Sequence, residues 1–353
     1  MAPRQPLSVD FSHFASGSPS ERLDIAHQLV KSIHETGFCR LINHNVSKET
    51  LDRVFSQADV FFKLPTEVKS KVKHPPTFNP HRGWSEVGRE TVSTVTDFEK
   101  DGKPKTDRPI TLDIKEAFDM GNIDDPLFGN MWLSEEDCPG FRRDMERFYE
   151  ECRKQHLLLL EALELGCSNV LGFTPDFRSR CRDSVSECRM NHYPATRSFT
   201  LKNGCNRISP HADFGTLTLL FQDGVGGLEI EDQSSLGHFF PVTCDNQYEM
   251  LVNAGDVLQR WSGDYFRSVN HLVTLPVELK NSVEDELVPE RTSVAFFAKA
   301  DRKADVGIME GFDTEAKGYE HMTSLQYNQL KLKLTYGMAD KASLQPLEAP
   351  VEV

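Results

Sequence analysis

The stretch PHADFGTLTLLFQD at residues 210–223 places two signals side by side. Thr216 to Phe221 is a run of β-branched and apolar residues suited to a buried strand. Just before it stands His211-Ala212-Asp213. In a strand, residues two apart share a face, so this imidazole and this carboxylate can converge on one cation. Alone, the pattern reads more simply as a surface histidine beside a solvated aspartate, since 12 histidines give about one such spacing by chance.

Around this stretch lie further short β-type runs: Arg189–Tyr193, Leu228–Ile230, Phe239–Val242, Met250–Asn253, Val257–Arg260, His271–Leu275 and Ser293–Ala298. Turn signals separate them, including Asp223-Gly224, Gly226-Gly227, Asn253-Ala254-Gly255-Asp256 and Gly263-Asp264. About eight strands at this spacing predict a closed barrel or a double-sheet jelly roll. The first half reads differently. Pro6–Asp10 suits an edge strand, and Ser18-Pro19-Ser20-Glu21 is a capping box opening a helix that Gly37 closes. A strand at Phe38–Ile42 and a helix from Ser47, stopped by Pro65, follow. Residues 75–109 read as long loops, and a third helix spans Phe141–Asn169. A last helix is expected at Ser324–Tyr336, with a polar end at 340–353. The expected assembly is α+β: a jelly-roll core flanked by helices of the N-terminal half and by a C-terminal helix. We expect residues 1–353 to form one integrated unit, with 1–172 the helical and loop half, 173–300 the core and 301–353 the helix and tail.

Composition narrows the function. The 353 residues carry 54 acidic and 40 basic side chains, a formal net charge of −14, which disfavours a nucleic-acid partner. No apolar run is long enough to span a membrane, so no membrane partner is expected. The eight cysteines form no CxxC pair, which points to free thiols in a reducing compartment. The opening MAPRQPLSVDF lacks a basic segment followed by an apolar one, so a cytoplasmic location is expected. Nucleotide-loop, zincin and serine-hydrolase motifs are absent.

Three features strengthen the His211/Asp213 pair. His271 opens a later apolar run, and two nitrogens with one carboxylate make the facial triad of non-haem Fe(II) oxygenases, which leaves three coordination positions open. Arg291 and Ser293 share a face of a late strand, so a guanidinium and a hydroxyl can hold one carboxylate. Asn191 and Tyr193 likewise share a face. Each has a plainer reading: Arg291 as an ion-pair partner of Glu290, Tyr193 as a core tyrosine.

In this combination the chain resembles the 2-oxoglutarate/Fe(II)-dependent oxygenases of the isopenicillin N synthase-like branch. The resemblance runs through ETGFCRLINHNV, FFKLP, NHYP, PHADFGTLTLLFQDGVGGLEI, NAGDVLQRWSGD, SVNHLV and RTSVAFF. Within the branch it is most similar to fungal members related to thymine hydroxylase, through HRGWSEVGRE and DIKEAFDMG. The resemblance implies a double-stranded β-helix, with Fe(II), 2-oxoglutarate and O₂ as cofactor and cosubstrates. It implies His211, Asp213 and His271 as iron ligands, and Arg291 and Ser293 as the clamp on the distal carboxylate of 2-oxoglutarate, assisted by Tyr193 and Asn191. By analogy, Arg189, Phe214, Arg82 and Trp84 line the substrate pocket. Phe214, Leu217, Leu219, Phe296 and Phe297 are expected to wall the site, each with plain core packing as the alternative reading. Members related to thymine hydroxylase tend to carry Tyr where Phe214 stands, which argues against thymine itself.

Two departures stand out. Leu272 occupies a place usually held by Arg, and the interval from His271 to Arg291 is long and acidic, with Glu278, Glu284, Asp285, Glu286 and Glu290 read as an exposed hairpin loop. The expected activity is oxidation (hydroxylation, desaturation or cyclisation) of a small organic molecule, in secondary metabolism, with release of succinate and CO₂. The alternatives are an Fe(II) oxidase of the same branch that dispenses with 2-oxoglutarate, and a non-catalytic jelly roll that binds a ligand.

Overall fold

The computed structural model describes residues 3–75, 80–88, 113–183, 185–203, 205–242, 244, 246–312 and 318–335. The chain begins with β1 (Ser8–Asp10), α1 (Pro19–Thr36), β2 (Phe38–Ile42), α2 (Lys48–Lys63), α3 (Thr66–Lys69), β3 (Gly83–Ser85), β4 (Glu116–Gly121) and α4 (Phe141–Leu171). Then come β5 (Glu187–Tyr193), β6 (Thr196–Arg197), α5 (Ser198–Lys202), β7 (Ile208–His211), β8 (Leu217–Gln222), β9 (Leu228–Glu231), β10 (Phe239–Pro241) and β11 (Met250–Ala254). The chain continues with α6 (Asp256–Trp261), β12 (His271–Val273), α7 (Val277–Lys280), β13 (Leu287–Val288), β14 (Arg291–Ala298) and α8 (Ser324–Thr335).

The expected α1 forms where its caps dictate. The Glu21 amide donates to Ser18 Oγ and the Ser18 amide to the Glu21 carboxylate, Pro19 sits in the first turn, and Gly37 ends the helix at φ 76°. Such a cap is worth about 1 kcal/mol. The apolar stripes of α1, α2 and α4 pack together and on the outer face of a large sheet, as Phe148 on Phe221 and Tyr149 on Phe296 show.

That sheet has eight strands in the order β1-β2-β11-β8-β14-β5-β4-β3, and a second has four in the order β10-β9-β12-β7. Their inner faces together line one cavity, so the two sheets form the walls of a double-stranded β-helix in an α+β fold. Strands of the N-terminal half extend the large sheet at both edges, β1 and β2 on one side and β3 and β4 on the other.

Three local expectations change. Val257–Arg260, expected as a strand, lies within α6. Four residues are too few to distinguish a period of two from 3.6, and the Gly255 entry with contacts to the preceding loop decides for helix. The Asp256 and Val257 amides donate to the carbonyls of Asp213 and Gly215. Arg82 and Trp84 were expected in a loop, yet Gly83–Ser85 pairs with β4 as a strand; residues 76–79 and 89–112 of that segment fall outside the described residues, as do Tyr336 and the end at 340–353. The acidic interval after His271 is no hairpin on itself: α7 is followed by β13, which pairs with β6. Lys280 of α7 reaches Glu229, the register partner of Leu272, so the insertion returns a cation to the outside of the barrel where Leu272 brings none.

Candidate active site

His211 ends β7 and His271 opens β12, and the two are paired across the small sheet. Asp213 lies beyond the end of β7, so strand alternation does not bring it to His211; a turned loop does. Gly215 makes that turn possible, because a Cβ there would lie 2.1 Å from the Ala298 carbonyl oxygen. The Asp213 carboxylate is then fixed by Thr218 Oγ1 and Asn253 Nδ2, both donating to Oδ2 at 2.7 Å. One ligand atom from each of His211, Asp213 and His271 lies within 4.8 Å of the others. The imidazole Nε2 atoms stand 3.9 and 3.8 Å from the aspartate oxygens.

Both imidazoles are held in the tautomer a metal requires. His211 Nδ1 donates to the Ser209 carbonyl at 2.9 Å and His271 Nδ1 to the Val269 carbonyl at 3.2 Å, leaving both Nε2 lone pairs facing Asp213. Burial, and then His271 alongside, push His211 far below the usual imidazole range. Burial opposes ionisation of Asp213, but His271, His211 and its two hydrogen bonds keep the carboxyl below its ordinary value. Two imidazole nitrogens and one carboxylate with fixed orientation suit a ferrous ion.

Two cavities meet at this triad. The inner one, of about 480 Å³ including open solvent, is lined by Asn191, Tyr193, Leu220, Arg291, Ser293 and Phe297 among others. Arg291 is 1% exposed; one Nη donates to Gln222 at 2.6 Å, while Nε and the other Nη have no hydrogen-bond partner among the described residues. A buried guanidinium with orphaned donors is costly unless an anion completes it. The Tyr193 hydroxyl lies 3.5 Å from Ser293 Oγ, and Asn191 Oδ1 is buried without a partner. The outer cavity, of about 650 Å³ including open solvent, is lined by His81, Asp119, Glu187, Arg189, Phe214, Lys299, Asn328 and Leu332, with Phe297 shared between both.

Strand alternation explains the layout. On β14 and just beyond, Arg291, Ser293, Ala295, Phe297 and Lys299 face the cavities, opposite Tyr193, Asn191, Arg189 and Glu187 of β5. Charges at the outer end are already matched. Asp119 accepts two hydrogen bonds from Arg189 at 2.7 and 3.0 Å, and Glu187 holds Arg82 at 3.2 Å as well as Lys299. Burial opposes the charge of Glu187, yet Lys299 and Arg82 bring its carboxyl down to about 2. Burial lowers Lys299 in the opposite sense. Glu187 and Asp119 in turn favour the charged form of Lys299.

The structure brings together His211, Asp213, His271, Asn191, Tyr193, Arg291, Ser293, Arg189 and Phe214. Others sit elsewhere. Phe296 is on the opposite face of β14 and packs against Tyr149 and His156, so Phe297 is the wall residue. Leu217 and Leu219 point into the helical layer for the same reason, and Thr218 and Leu220 take their places. Arg82 stands behind the outer cavity through Glu187, and Trp84 donates its Nε1 to buried Glu116 instead of lining the site. Thr218, Asn253, Glu187, Asp119, Lys299, Asn328 and Leu332 were not anticipated. Stepping by two along β5 and β14 reaches Glu187 and Lys299; nothing local announces Asn328 or Leu332 on α8.

Among the described residues no helix is long and apolar enough to cross a membrane. Residues 185–300 match the 2OG-Fe(II) oxygenase superfamily, and residues 8–135 match the N-terminal region of non-haem dioxygenases in morphine synthesis. A 2-oxoglutarate-dependent dioxygenase of Dothideomycetidae sp. is 43% identical over 338 residues, covering 95% of this chain and 98% of that one. A proline hydroxylase of Petromyces alliaceus is 42% identical over 333 residues, covering 93% and 98%. The crystal structure of Neurospora crassa thymine hydroxylase with alpha-ketoglutarate and thymine superposes with a TM-score of 0.79 at 32% identity, covering 94% and 97%. The chain therefore belongs to the 2-oxoglutarate/Fe(II)-dependent oxygenases and is a dioxygenase that uses ferrous iron, 2-oxoglutarate and O₂ to oxidise a small molecule.

Proposed function

We propose that His211, Asp213 and His271 hold the iron, that the inner cavity takes 2-oxoglutarate and that the outer cavity takes the substrate. The observation that carries this reading is Arg291, buried beyond the triad with two orphaned donors. Its guanidinium and the Ser293 hydroxyl receive the distal carboxylate, with Tyr193 and Asn191 beside them. The iron supplies the oxidising chemistry when bound, with 2-oxoglutarate consumed to succinate and CO₂. The chain's own part is placement: it fixes the ligand tautomers, excludes water with Leu220, Phe297 and Phe38, and would keep the two small molecules in separate cavities that share His211 and Asp213. An oxidase that dispenses with 2-oxoglutarate would have to bring a carboxylate of its own substrate to Arg291.

For the substrate, Arg189 and Phe214 are the contacts we favour. The ionic wall of the outer cavity pairs Arg189 with Asp119 and Lys299 with Glu187, leaving no surplus charge to attract an ion. A small polar molecule without net charge fits, either a neutral heterocycle or a zwitterionic amino acid. Thymine and proline, named for relatives, are one of each. Phe214 in place of Tyr inclines the reading toward the amino acid. We read residues 1–353 as one catalytic unit, since β4 and α8, from opposite ends, both wall the pocket. Eight free thiols fit a reducing compartment such as the cytoplasm, and neither nucleic acid nor membrane has a place in this reading.

The test is succinate release from 2-oxoglutarate by the ferrous enzyme under air, screened with free amino acids including proline and with nucleobases. One class is expected to stimulate release, and His211→Ala is expected to abolish it. Unchanged release in His211→Ala would refute the ligand assignment.

A further inference from the structure

Behind Tyr193 stands a second guanidinium that the functional reading does not use. Arg207, just before β7, is 0% exposed, and its Nε and one Nη have no hydrogen-bond partner among the described residues; the other Nη donates to the Pro289 carbonyl. Arg207 and Arg291 both stack on the Tyr193 ring, with their central carbons 5.9 and 4.9 Å from its centroid. Burial, and then the neighbouring Arg291, draw Arg207 down to about 10. The acid that acts on it is Asp223, whose oxygens are already engaged by the amides of Thr292 and Val225. Two buried cations thus share the closed end of the barrel with one partly exposed carboxylate. The ordinary remedy for a buried charge is a partner, and here none of the described residues supplies it. An incoming carboxylate restores the balance: two cations then face two anions.

We propose that Arg207 is a positioning residue of the cosubstrate site, where its charge behind Tyr193 selects α-keto acids that carry a second carboxylate. Arg207 is absent from the lining of the inner cavity, so it acts through the field at the closed end and through the stacked Tyr193 ring, not by direct contact. At short range in a low-dielectric interior such a charge is felt strongly by an anion. The inference rests on the reading that Arg291 receives the distal carboxylate.

The experiment is an anaerobic titration of the ferrous holoenzyme, following the visible charge-transfer band of the keto-acid chelate. Two probes are compared: 2-oxoglutarate, and 2-oxopentanoate, which has the same chain length and keto acid but no distal carboxylate. In Arg207→Gln, which keeps a donor for Pro289 but no charge, the Kd for 2-oxoglutarate is expected to rise about tenfold or more, equivalent to about 1.4 kcal/mol. The Kd for 2-oxopentanoate is expected to stay within about twofold. Arg207→Lys, which keeps the charge, is expected to retain the preference for 2-oxoglutarate within about threefold, and it tests the proposal alone if the Gln variant does not fold. Equal weakening of both probes, no change for either, or loss of the preference in Arg207→Lys would overturn the inference. Arg291→Gln separates the two levels: if it weakens 2-oxoglutarate while Arg207→Gln does not, only the role of Arg207 fails. Failure of Arg291→Gln to weaken 2-oxoglutarate overturns the underlying reading.

Discussion

The two ends of the β5/β14 ladder are built from the same alternating positions and solve opposite problems. At the Tyr193–Arg291 end, Arg291 lines the chamber and Arg207 lies behind it, both buried with donors that no described residue uses. At the Glu187–Lys299 end, every described charge has found a partner within the protein. The first arrangement is costly until an anion arrives, which suits a cosubstrate of fixed structure. The second is balanced already, so a guest there competes with existing pairs and is recognised by how it rearranges them. Affinity for 2-oxoglutarate is thus concentrated in few groups, and substrate preference is spread over many.

The contrast can be broken from either end. The largest effect belongs to neither, since both cavities converge on the metal: Asp213→Ala is expected to lower iron-dependent succinate release by more than about a hundredfold. At the inner end, Arg291→Gln is expected to raise the 2-oxoglutarate KM by about a hundredfold, the scale of losing one partner of a buried ion pair, while substrate KM changes little. An equal rise in both would blur the division of labour. Removing the supports of Asp213 is milder, with Thr218→Val expected to weaken iron binding about tenfold, read by metal titration with a chelating dye. At the outer end, Asp119→Asn is expected to raise substrate KM and the fraction of uncoupled succinate release several-fold, with 2-oxoglutarate binding unchanged.

The smallest effect sharpens the comparison through pH. Glu187 titrates at about 2 when folded and near 4.5 when unfolded. A depressed carboxyl stabilises the fold above the unfolded value, and that contribution is lost as pH falls toward the folded one. The melting-temperature advantage of the native chain over Glu187→Gln is therefore expected to be full above about pH 4.5 and to shrink toward pH 2. Arg207, drawn down only to about 10, holds its charge throughout that window. A pH-independent gap between the two proteins would contradict the assignment of Glu187 as an ionised partner of Lys299.

How much of this was legible in the sequence depended on range. Capped helices announced themselves: Ser18, Pro19, Glu21 and Gly37 fix α1 through contacts a few residues apart. Period-two spacing correctly paired Arg291 with Ser293 and Asn191 with Tyr193, because both pairs lie inside strands. Phe296 and Phe297 were both expected as walls and of the two Phe297 lines the cavity, since alternation fixes relative facing and not which face turns inward. His211 and Asp213 do converge, although through the Gly215 turn and the pull of Thr218 and Asn253, contacts no local pattern contains. The ionic wall was invisible for a similar reason: nothing local marks Asp119, Glu187 and Lys299 until β4, β5 and β14 are laid side by side.

The most direct measurement is anomalous diffraction at the iron edge from anaerobic crystals grown with Fe(II) and 2-oxoglutarate. The account predicts a single peak per chain bounded by His211 Nε2, His271 Nε2 and an Asp213 oxygen, with the far carboxylate of the keto acid against Arg291 and Ser293. A peak elsewhere, or a keto acid whose far carboxylate turns instead toward Arg189 and Lys299, would contradict it.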